Sequence, residues 1–343
     1  MSECAQPFAD PDIETLSEVL DPGAFAEHLR SASLFSDSEG GIKEVESARV
    51  LKHHPGNRCA LEVSVRTAEG WHSLIAKIYH KDRSDVFEAM KGIEQAGFGP
   101  QDEFSIPQPV AYISSLQCML LEKVDGSRVD EILKNDDLQM QAAAAERCAL
   151  WLARFHALAP KAGEVSYPHD FLNSKSMQRY SREIAERGGI CAEKAASLLQ
   201  RLEYELSSLS HVKMCAGHGS YSASHALLVQ GRTVVFDWDG YDVANPARDV
   251  ARFLGTLRRS SFSRSGSVSS FDGTAEVFLK TYLAAGRPEV ERDLHFFEAA
   301  TCLNLAKHSL CRQVDPVEGE KKRKKAEAML DEGFAILDRV TVN

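Results

Sequence analysis

The stretch that decides the fold runs from His218 to Gly240 and reads HGSYSASHALLVQGRTVVFDWDG. It begins with a loop of small, hydroxyl and imidazole side chains, and two apolar runs, ALLV and TVVFDW, follow the loop. Gln230-Gly231-Arg232 separates the two runs, so the pattern predicts a β-hairpin that ends on Asp237. The polar residues on either side of the hairpin are therefore the first candidates for chemistry.

Length and charge limit the classes of protein that fit. The chain has 343 residues and a formal net charge of -10. A chain of this length is expected to form two lobes or domains rather than a single core. Sequence-independent nucleic-acid binding depends on Lys and Arg contacts with phosphates, which the acidic balance disfavours. We therefore expect no nucleic-acid partner.

The first residues and the cysteines predict a cytoplasmic protein. MSECAQPFADPDIETLSE is acidic and lacks the basic start and apolar run of a signal peptide. No window is long and apolar enough to cross a bilayer, so we expect no membrane partner. The eight cysteines are scattered without a CxxC pair, which predicts reduced, mostly buried thiols.

The first third of the chain predicts a helical leader and then a β-rich lobe. The leader, residues 1–38, contains two short helices between residues 12 and 33 that are broken at Asp21-Pro22-Gly23. The lobe, residues 39–123, begins with three antiparallel strands: VESARVLKHH, CALEVSVRT and WHSLIAKIYH. DVFEAMKGIEQAGF then predicts a helix that ends at Gly97, and PVAYI and CMLLEKV predict two further strands.

Residues 124–343 predict a mainly helical lobe. QMQAAAAERCALWLARFHAL and SLLQRLEYELSSL carry apolar residues at helical spacing, and the hairpin after His218 interrupts the helices. The Ser-rich stretch RSSFSRSGSVSS, residues 259–270, predicts a mobile loop. The basic run KKRKK at 321–325 predicts a solvated face near the start of the last helix.

This order of elements is typical of an α+β, two-lobed protein-kinase-like fold, with an antiparallel β-rich N-lobe and a mainly helical C-lobe. In such a fold a lysine on the third strand neutralises nucleotide phosphates, and Lys77 in LIAKIY occupies that place. Glu88 is the first candidate for its partner, and Glu94 is the second. Asp237 follows the hairpin, where a kinase places the carboxylate that binds the phosphate-bridging magnesium. The backbone of Glu122 to Val124, in MLLEKVDG, is the candidate contact for adenine.

The stretch HGSYSASHALLVQGRTVVFDWDGYDVANPARDVARFL also resembles a known family. It is similar to the H-G-D-x-H-x-x-N, hairpin, I-D-W-x, D-P-A-x-D-L-A pattern of aminoglycoside phosphotransferases and choline-kinase-like proteins. The similarity is strongest over residues 212–258 and extends more weakly over about 45–310. It implies a kinase that uses ATP and Mg2+ to phosphorylate a small-molecule hydroxyl acceptor. The acceptor stays open, since the family phosphorylates aminoglycosides, choline, sugars and other hydroxyl compounds.

The loop departs from the family pattern at three positions. Ser220 stands at the catalytic Asp, Ser222 at the following His, and His225 at the metal-binding Asn. A serine hydroxyl keeps its proton near neutral pH, so Ser220 cannot act on an acceptor through a negative charge. An imidazole nitrogen is a poor ligand for magnesium, which prefers oxygen. Asp239 or Asp242 is the candidate for a replacement base.

Three other kinds of site are excluded by spacing. A hydrolase G-x-S-x-G elbow requires glycine at the positions of His218 and Ser222. A calcium loop that began at Asp237 would require Glu where Arg248 stands. His211, His218 and His225 recur every seven residues, but a turn and a strand interrupt them, so they cannot share a helix face as zinc ligands. We expect His218 to be a packed loop residue.

Two functions stay open. Lys77, Asp237 and the NPARD element are kept, which is the pattern expected if nucleotide or metal binding persists while transfer is slowed. Asp249 of NPARD resembles the family's buried aspartate that braces the His-Gly loop. The chain is then either a slow or altered phosphotransferase, or a pseudokinase that binds nucleotide or a small ligand as a sensor or scaffold. The pattern makes no prediction of the oligomeric state.

Overall fold

The computed structural model describes residues 9–32, 41–168, 175–210, 212–310 and 316–341. The chain divides into two compact units, Met1–Asp125 and Gly126–Asn343. The first unit is built around an antiparallel sheet, and the second is mainly helical. This confirms the predicted α+β class. The division into a leader, an N-lobe and a C-lobe at residues 38 and 123 stays a prediction.

The first unit follows the predicted order of elements. These are α1 (Leu16–Leu20), α2 (Pro22–Ser31), β1 (Glu44–His54), β2 (Arg58–Thr67), β3 (Gly70–Tyr79), α3 (Ser84–Gln95), β4 (Phe104–Ser105), β5 (Pro109–Ile113) and β6 (Cys118–Glu122). Five of the strands form one antiparallel sheet in the order β1-β2-β3-β6-β5.

Burial alternates along the central strands of this sheet, as expected for strands that cover a core with one face. The side chains of β2 and β3 that enter this core are Cys59, Leu61, Val63, Val65, Leu74, Ala76 and Ile78. Lys77 lies between two of these buried residues and pairs with Ala60 across the strands. Because successive side chains point to opposite faces, Lys77 belongs to the other face of the sheet.

The two leader helices cover the core face of the sheet. Asp21 caps α2, since its Oδ1 accepts a hydrogen bond from the backbone N–H of Ala24 at 2.8 Å, and Pro22 takes the first helical position. The leader residues that join the core with the strands are Ile13, Leu16, Val19, Phe25, Ala26 and Leu29. The predicted pair of helices broken at Asp21 is confirmed, and both helices belong to the core of the first unit.

Asp10 connects the start of the leader to the β1–β2 turn. Its Oδ2 accepts a hydrogen bond from the backbone N–H of Gly56 at 2.9 Å and lies 2.7 Å from His53 Nε2. The bond from Gly56, followed by the bond with His53, lowers the pKa of Asp10. The contact holds the turn against the leader, and no feature of the sequence pattern predicted it.

The second unit contains longer helices and short strands. Its elements are β7 (Ser127–Arg128), α4 (Val129–Ile132), α5 (Leu138–Leu158), β8 (Val165–Ser166), α6 (Lys175–Ala185), α7 (Ile190–Glu205), β9 (Cys215–Gly217), β10 (Ala226–Val229), β11 (Arg232–Val235), β12 (Asp242–Ala244), α8 (Ala247–Ser265), α9 (Asp272–Ala284), α10 (Val290–Leu310) and α11 (Pro316–Thr341). Within the described ranges, no helix of either unit combines the length and apolarity that crossing a membrane requires.

Short strands place the loop of interest in the second unit. β10 and β11 form the predicted hairpin, and its turn at Gln230 and Gly231 uses positive φ angles of 41° and 85°. A three-stranded sheet in the order β8-β12-β9 pairs Gly217 with Asp242. The residue that precedes His218 is therefore fixed against the segment that follows the hairpin.

The prediction of a mobile loop over residues 259–270 is wrong for its first half, because α8 continues through Ser265. The serines there satisfy their hydroxyl groups within the helix: Ser265 Oγ donates to the carbonyl of Ser261 at 3.1 Å. Ser261 is buried, and its Oγ donates to the carbonyl of Ser267 at 2.6 Å. Gly266, at a φ of 76°, ends the helix.

The cysteines agree with the predicted reduced state. Six of them lie in the described part of the chain, and all six are free and buried. The other two, Cys4 and Cys311, lie outside the described residues. Burial raises the pKa of the Cys148 thiol to about 12, so this group is uncharged at neutral pH.

The leader core predicts the effect of a single substitution. Phe25 is fully buried between α2 and the sheet, so Phe25→Ala should remove about 3–5 kcal/mol from the free energy of unfolding. Chemical denaturation of the full chain measures this loss. Glu27→Ala, on the exposed face of α2, is the matched control and should change little. Equal stability of the Phe25 variant and the control would show that the leader is not part of the cooperative core.

Candidate functional site

Asp249, in the first turn of α8, holds the start of the loop. Its Oδ2 accepts a hydrogen bond from the backbone N–H of His218 at 2.7 Å, and its Oδ1 accepts one from Gly219 at 2.9 Å. Burial acts to raise the pKa of Asp249, but the hydrogen bond with His156 and the charge of Arg248 outweigh it, so the pKa is lowered. The carboxylate is therefore ionised, and it braces the loop as the NPARD element predicted.

His156 of α5 supports Asp249 from its other side. Its Nε2 lies 3.3 Å from Asp249 Oδ2, and its Nδ1 lies 2.7 Å from the hydroxyl oxygen of Tyr282. An ionised carboxylate only accepts, so Nε2 carries the proton and Nδ1 accepts from the tyrosine hydroxyl. Burial lowers the pKa of His156, which favours this neutral form. One imidazole thus links α5, α8 and α9 behind the loop.

The loop and the turn after the hairpin touch at Gly219. This residue has a φ of +77°, and a Cβ built on it would lie 2.1 Å from the carbonyl oxygen of Gly240. Only glycine fits such a close approach. The contact brings Ser220 beside Asp237, and the Ser220 Oγ lies 3.4 Å from the Asp237 carbonyl oxygen.

Ser220 and His218 form a hydrogen-bonded pair. His218 is fully buried, and its Nε2 lies 3.1 Å from the carbonyl oxygen of Phe236, so Nε2 carries a proton. The neutral ring then presents the lone pair of Nδ1 to Ser220, whose Oγ is 3.2 Å away. When the serine hydroxyl donates to Nδ1, the lone pairs of its oxygen stay available as acceptors.

His225 faces Asp237 with its second nitrogen. The His225 Nδ1 donates to the carbonyl of Ser220 at 3.0 Å, which leaves the lone pair on Nε2, 3.6 Å from Asp237 Oδ2. Burial, and then the neighbouring His218, lowers the pKa of His225 to about 4. Asp237 has a φ of 71° and a ψ of 63°, which is a left-handed conformation rare outside glycine, and this turns its carboxylate out of the strand direction.

The donor set fits a divalent cation only in part. The carboxylate of Asp237 is an oxygen donor of the kind that magnesium prefers, and 82% of the side chain is buried, since 18% is exposed. His225 supplies nitrogen, which suits manganese or zinc better than magnesium. His218 and His225 stack with their ring centroids 6.0 Å apart, whereas His211 lies outside the described residues. No group of three or more His, Cys, Asp or Glu side chains that could hold a metal occurs among the described residues.

Asp239 and Asp242 differ in how they are held. Both carboxylate oxygens of Asp242 pair with the guanidinium of Arg248, and burial raises the pKa of Asp242 despite that partner. This carboxylate is therefore committed to a salt bridge between β12 and α8. Asp239 lies partly exposed in the turn Trp238–Gly240, two residues after Asp237. Of the two predicted replacements for the base, Asp239 is the better placed to reach a ligand.

The first unit contains Lys77 and its predicted partners. Lys77 is partly buried on β3, opposite Met119 of β6. Glu88 lies exposed on α3, and Glu94, near the end of that helix, accepts a hydrogen bond from Lys91 Nζ at 3.0 Å. Glu94 is thus engaged within its own helix, and the pairing of Lys77 with Glu88 stays a prediction.

The strand end proposed to contact adenine is partly engaged. The backbone N–H of Glu122 donates to the carbonyl of Gln108 at 2.9 Å, and the carboxylate of Glu122 accepts from the Gln108 N–H at 3.2 Å. Lys123 pairs with Glu62 at 2.7 Å, and Val124 follows the strand in a partly buried position. The role of Glu122 and Val124 in nucleotide contact stays a prediction.

Sequence reasoning missed the residues that support the loop from behind. Arg248 stands inside NPARD and His156 inside LARFHAL, so both were in view without an assigned role. Tyr282 carried no signal, because a tyrosine at helical spacing is usually an ordinary core residue. Only the folded chain brings it within hydrogen-bond distance of His156.

Comparison with known proteins agrees with this geometry. A family model described as the phosphotransferase enzyme family matches residues 54–296, and no curated protein matches the chain significantly. Among solved structures, a choline/ethanolamine kinase family protein from Mesorhizobium loti aligns at 12% identity over 93% of this chain and 100% of its own, with a TM-score of 0.59. A macrolide 2'-phosphotransferase from Brachybacterium faecium aligns at 18% identity over 88% and 97%, with a TM-score of 0.53. A glucosamine kinase in complex with glucosamine, ADP and inorganic phosphate aligns at 15% identity over 93% and 88%, with a TM-score of 0.64.

The bracing contact predicts the effect of Asp249→Asn. An amide has one acceptor oxygen, so one of the two loop N–H groups would face an NH2 group, and we expect a loss of about 2–4 kcal/mol of unfolding free energy at pH 7. Because folding lowers the pKa of Asp249, its contribution is complete above the unfolded value of 3.8 and declines as the pH falls below it.

Denaturation of the wild type and the variant between pH 7 and pH 2.5 measures both effects, and the difference in stability should shrink at the acid end. Asp272→Asn, at the exposed start of α9, is the control. A difference that stays constant down to the lowest pH would contradict an ionised brace.

Proposed function

The chain belongs to the phosphotransferase enzyme family, and we propose that it is a small-molecule kinase that transfers a phosphoryl group from ATP to a hydroxyl acceptor at a reduced rate. One observation carries the proposal. The loop is braced by Asp249 and brings position 220 beside Asp237, but position 220 is a serine. The frame for transfer is present, and the charged base is replaced.

The nucleotide would be held by residues from both units. In the first unit, Lys77 would neutralise phosphate charge, and Glu88 is its proposed partner. In the second unit, Asp237 would hold magnesium, which supplies positive charge at the phosphates when it is bound. The backbone of Glu122 and Val124 is the proposed adenine contact. The free thiols support the proposed cytoplasmic location, where ATP is abundant.

Ser220 would orient the acceptor instead of deprotonating it. Its own proton is directed at His218 Nδ1, so its oxygen can accept a hydrogen bond from the attacking hydroxyl. With a loose transition state the attacking hydroxyl can keep its proton until late, so orientation without a strong base still permits transfer. Asp239, partly exposed in the next turn, is the proposed final proton acceptor.

A non-catalytic pseudokinase is the second candidate, and the hydrogen bonds of the loop favour it. His225 donates to the carbonyl of Ser220, and the Ser220 hydroxyl has two partners within the protein, His218 Nδ1 and the Asp237 carbonyl. A loop that satisfies its own polar groups gives up less on remaining closed than on engaging an acceptor. In that case the protein would bind nucleotide or a small ligand as a sensor or scaffold.

Restoring the family residues distinguishes the two functions. Ser220→Asp combined with His225→Asn should raise turnover of ATP with a suitable acceptor by about a hundred- to ten-thousand-fold, since that is the usual effect of a positioned base. A panel of hydroxyl compounds, assayed by ADP release and by mass change of the acceptor, measures it. Ser224→Asp, which adds a carboxylate elsewhere on the loop, is the matched control.

Adding Asp237→Asn to the restored variant should abolish the gain. Background turnover in every variant would contradict the slow kinase and favour the pseudokinase. Wild-type turnover at ordinary kinase rates, about 1–100 per second, would show that Ser220 does not limit transfer.

A further inference from the structure

Several cations gather in the helical unit beyond the loop. We call them the cationic cluster: Arg252 and Arg259 on α8, Lys307 and His308 on α10, and Lys325 on α11. Arg252 and Arg259 are seven residues apart, so two helical turns place them on the same side of α8. Three helices therefore contribute positive charge to one region.

Arg252 is the most constrained member of the cluster. Its Nη1 donates to Asn304 Oδ1 at 2.6 Å, whereas its buried Nε has no hydrogen-bond partner among the described residues. Burial, and then the charge of Arg259, lowers the pKa of Arg252 to about 10. A guanidinium that is paired with a neutral amide and faces a second guanidinium is costly to hold, and an anion would relieve that cost.

The other members show the same surplus of charge. Arg259, His308 and Lys325 form no ion pair with any residue in the described ranges. Burial, followed by the repulsion of Arg252 and Lys307, lowers the pKa of His308 to about 4. Burial and the charge of Arg259 lower the pKa of Lys325. Each group therefore lies near another cation without a neutralising carboxylate.

The carboxylates on the same helices are committed elsewhere. Glu183 of α6 lies 3.3 Å from Lys307 Nζ and 3.4 Å from Arg179 Nε. Glu298 and Glu332 both pair with Arg258, on another side of α8. Lys307 is thus the one member of the cluster with an acidic partner in the described structure, and the net charge of the cluster stays positive.

The cluster adjoins the loop and an open space. Arg252 follows Asp249 by three residues, and its charge is among the causes that lower the pKa of His225. On the other side, Lys307 Nζ lies 5.0 Å from the ring centroid of Tyr180 and lines a cavity of about 240 Å³ with residues of α6. An acceptor in this region would have the loop at one end and the cations at the other.

We propose that the cationic cluster binds an anionic group of the acceptor, so that the substrate is a hydroxyl compound that also carries a carboxylate or a phosphate. The proposal rests on the proposed function, and it names the substrate class of the same site. The guanidinium groups of Arg252 and Arg259 match the planar oxygens of a carboxylate or the oxygens of a phosphate. An acceptor that carried an amine in place of the anion would be repelled.

Ligand binding without nucleotide tests the substrate class. The probes are matched pairs, gluconate against glucose and glycerol 3-phosphate against glycerol, with inorganic phosphate as an anion that has no carbon-bound hydroxyl. Calorimetry on the full chain at low ionic strength should give the anionic member of at least one pair a Kd at least about tenfold lower, and added salt should weaken it. The bound anion should also raise the pKa of His308, which NMR titration follows.

Variants locate the effect. Arg259→Gln and Lys325→Gln should each weaken binding of the anionic probe by about tenfold, whereas Arg292→Gln and Lys324→Gln, on exposed surfaces of α10 and α11, should leave it unchanged. Thermal unfolding of each variant checks that it is folded. Equal binding of neutral and anionic probes, equal losses in the controls, or inorganic phosphate binding as tightly as the organic anions would overturn the proposal. Because no nucleotide is present, failure here leaves phosphoryl transfer untested, and anion binding without turnover would reject only the kinase.

Discussion

The carboxylate of Asp249 is the constraint on which the rest of the second unit depends. It is buried and ionised, and it accepts from two consecutive backbone N–H groups of the loop while His156 supports it from α5. Leaving a buried charge without these partners would be costly, so the loop has one stable position. That position presses Gly219 against Gly240 and sets the distance from Ser220 to the turn at Asp237.

A loop held this firmly explains why substitutions inside it change chemistry without changing the frame. The brace uses only the backbone of residues 218 and 219, so Ser220 and His225 can vary while their positions stay fixed. Serine at position 220 removes a negative charge near the proposed phosphates, and neutral His225 adds none. The charge balance of the region therefore moves toward positive, and the cations on α8 move it further. An anionic acceptor is the ligand that such a region would tolerate best.

The sequence predicted most of the fold and part of the site. Strand alternation located β1, β2 and β3 to within a residue, and the hairpin followed from two apolar runs and a glycine turn. The Ser-rich stretch was misassigned because composition outweighed the hydroxyl-to-carbonyl bonds that let serine continue a helix. The Asp10 contact and the cluster of cations could not be predicted, since each joins residues that are distant along the chain. Such groups come together only through packing, which no local pattern records.

Nucleotide binding tests the central claim most directly, namely that the braced loop keeps the nucleotide site while it has lost the base. Calorimetry with ATP would be run with and without magnesium on the wild type, on Ser220→Asp and on Asp237→Asn. We predict magnesium-dependent binding to the wild type, a similar affinity for Ser220→Asp, and loss of the magnesium dependence for Asp237→Asn. Absence of detectable binding to the wild type at millimolar ATP, or magnesium-dependent binding that survives Asp237→Asn, would contradict the account.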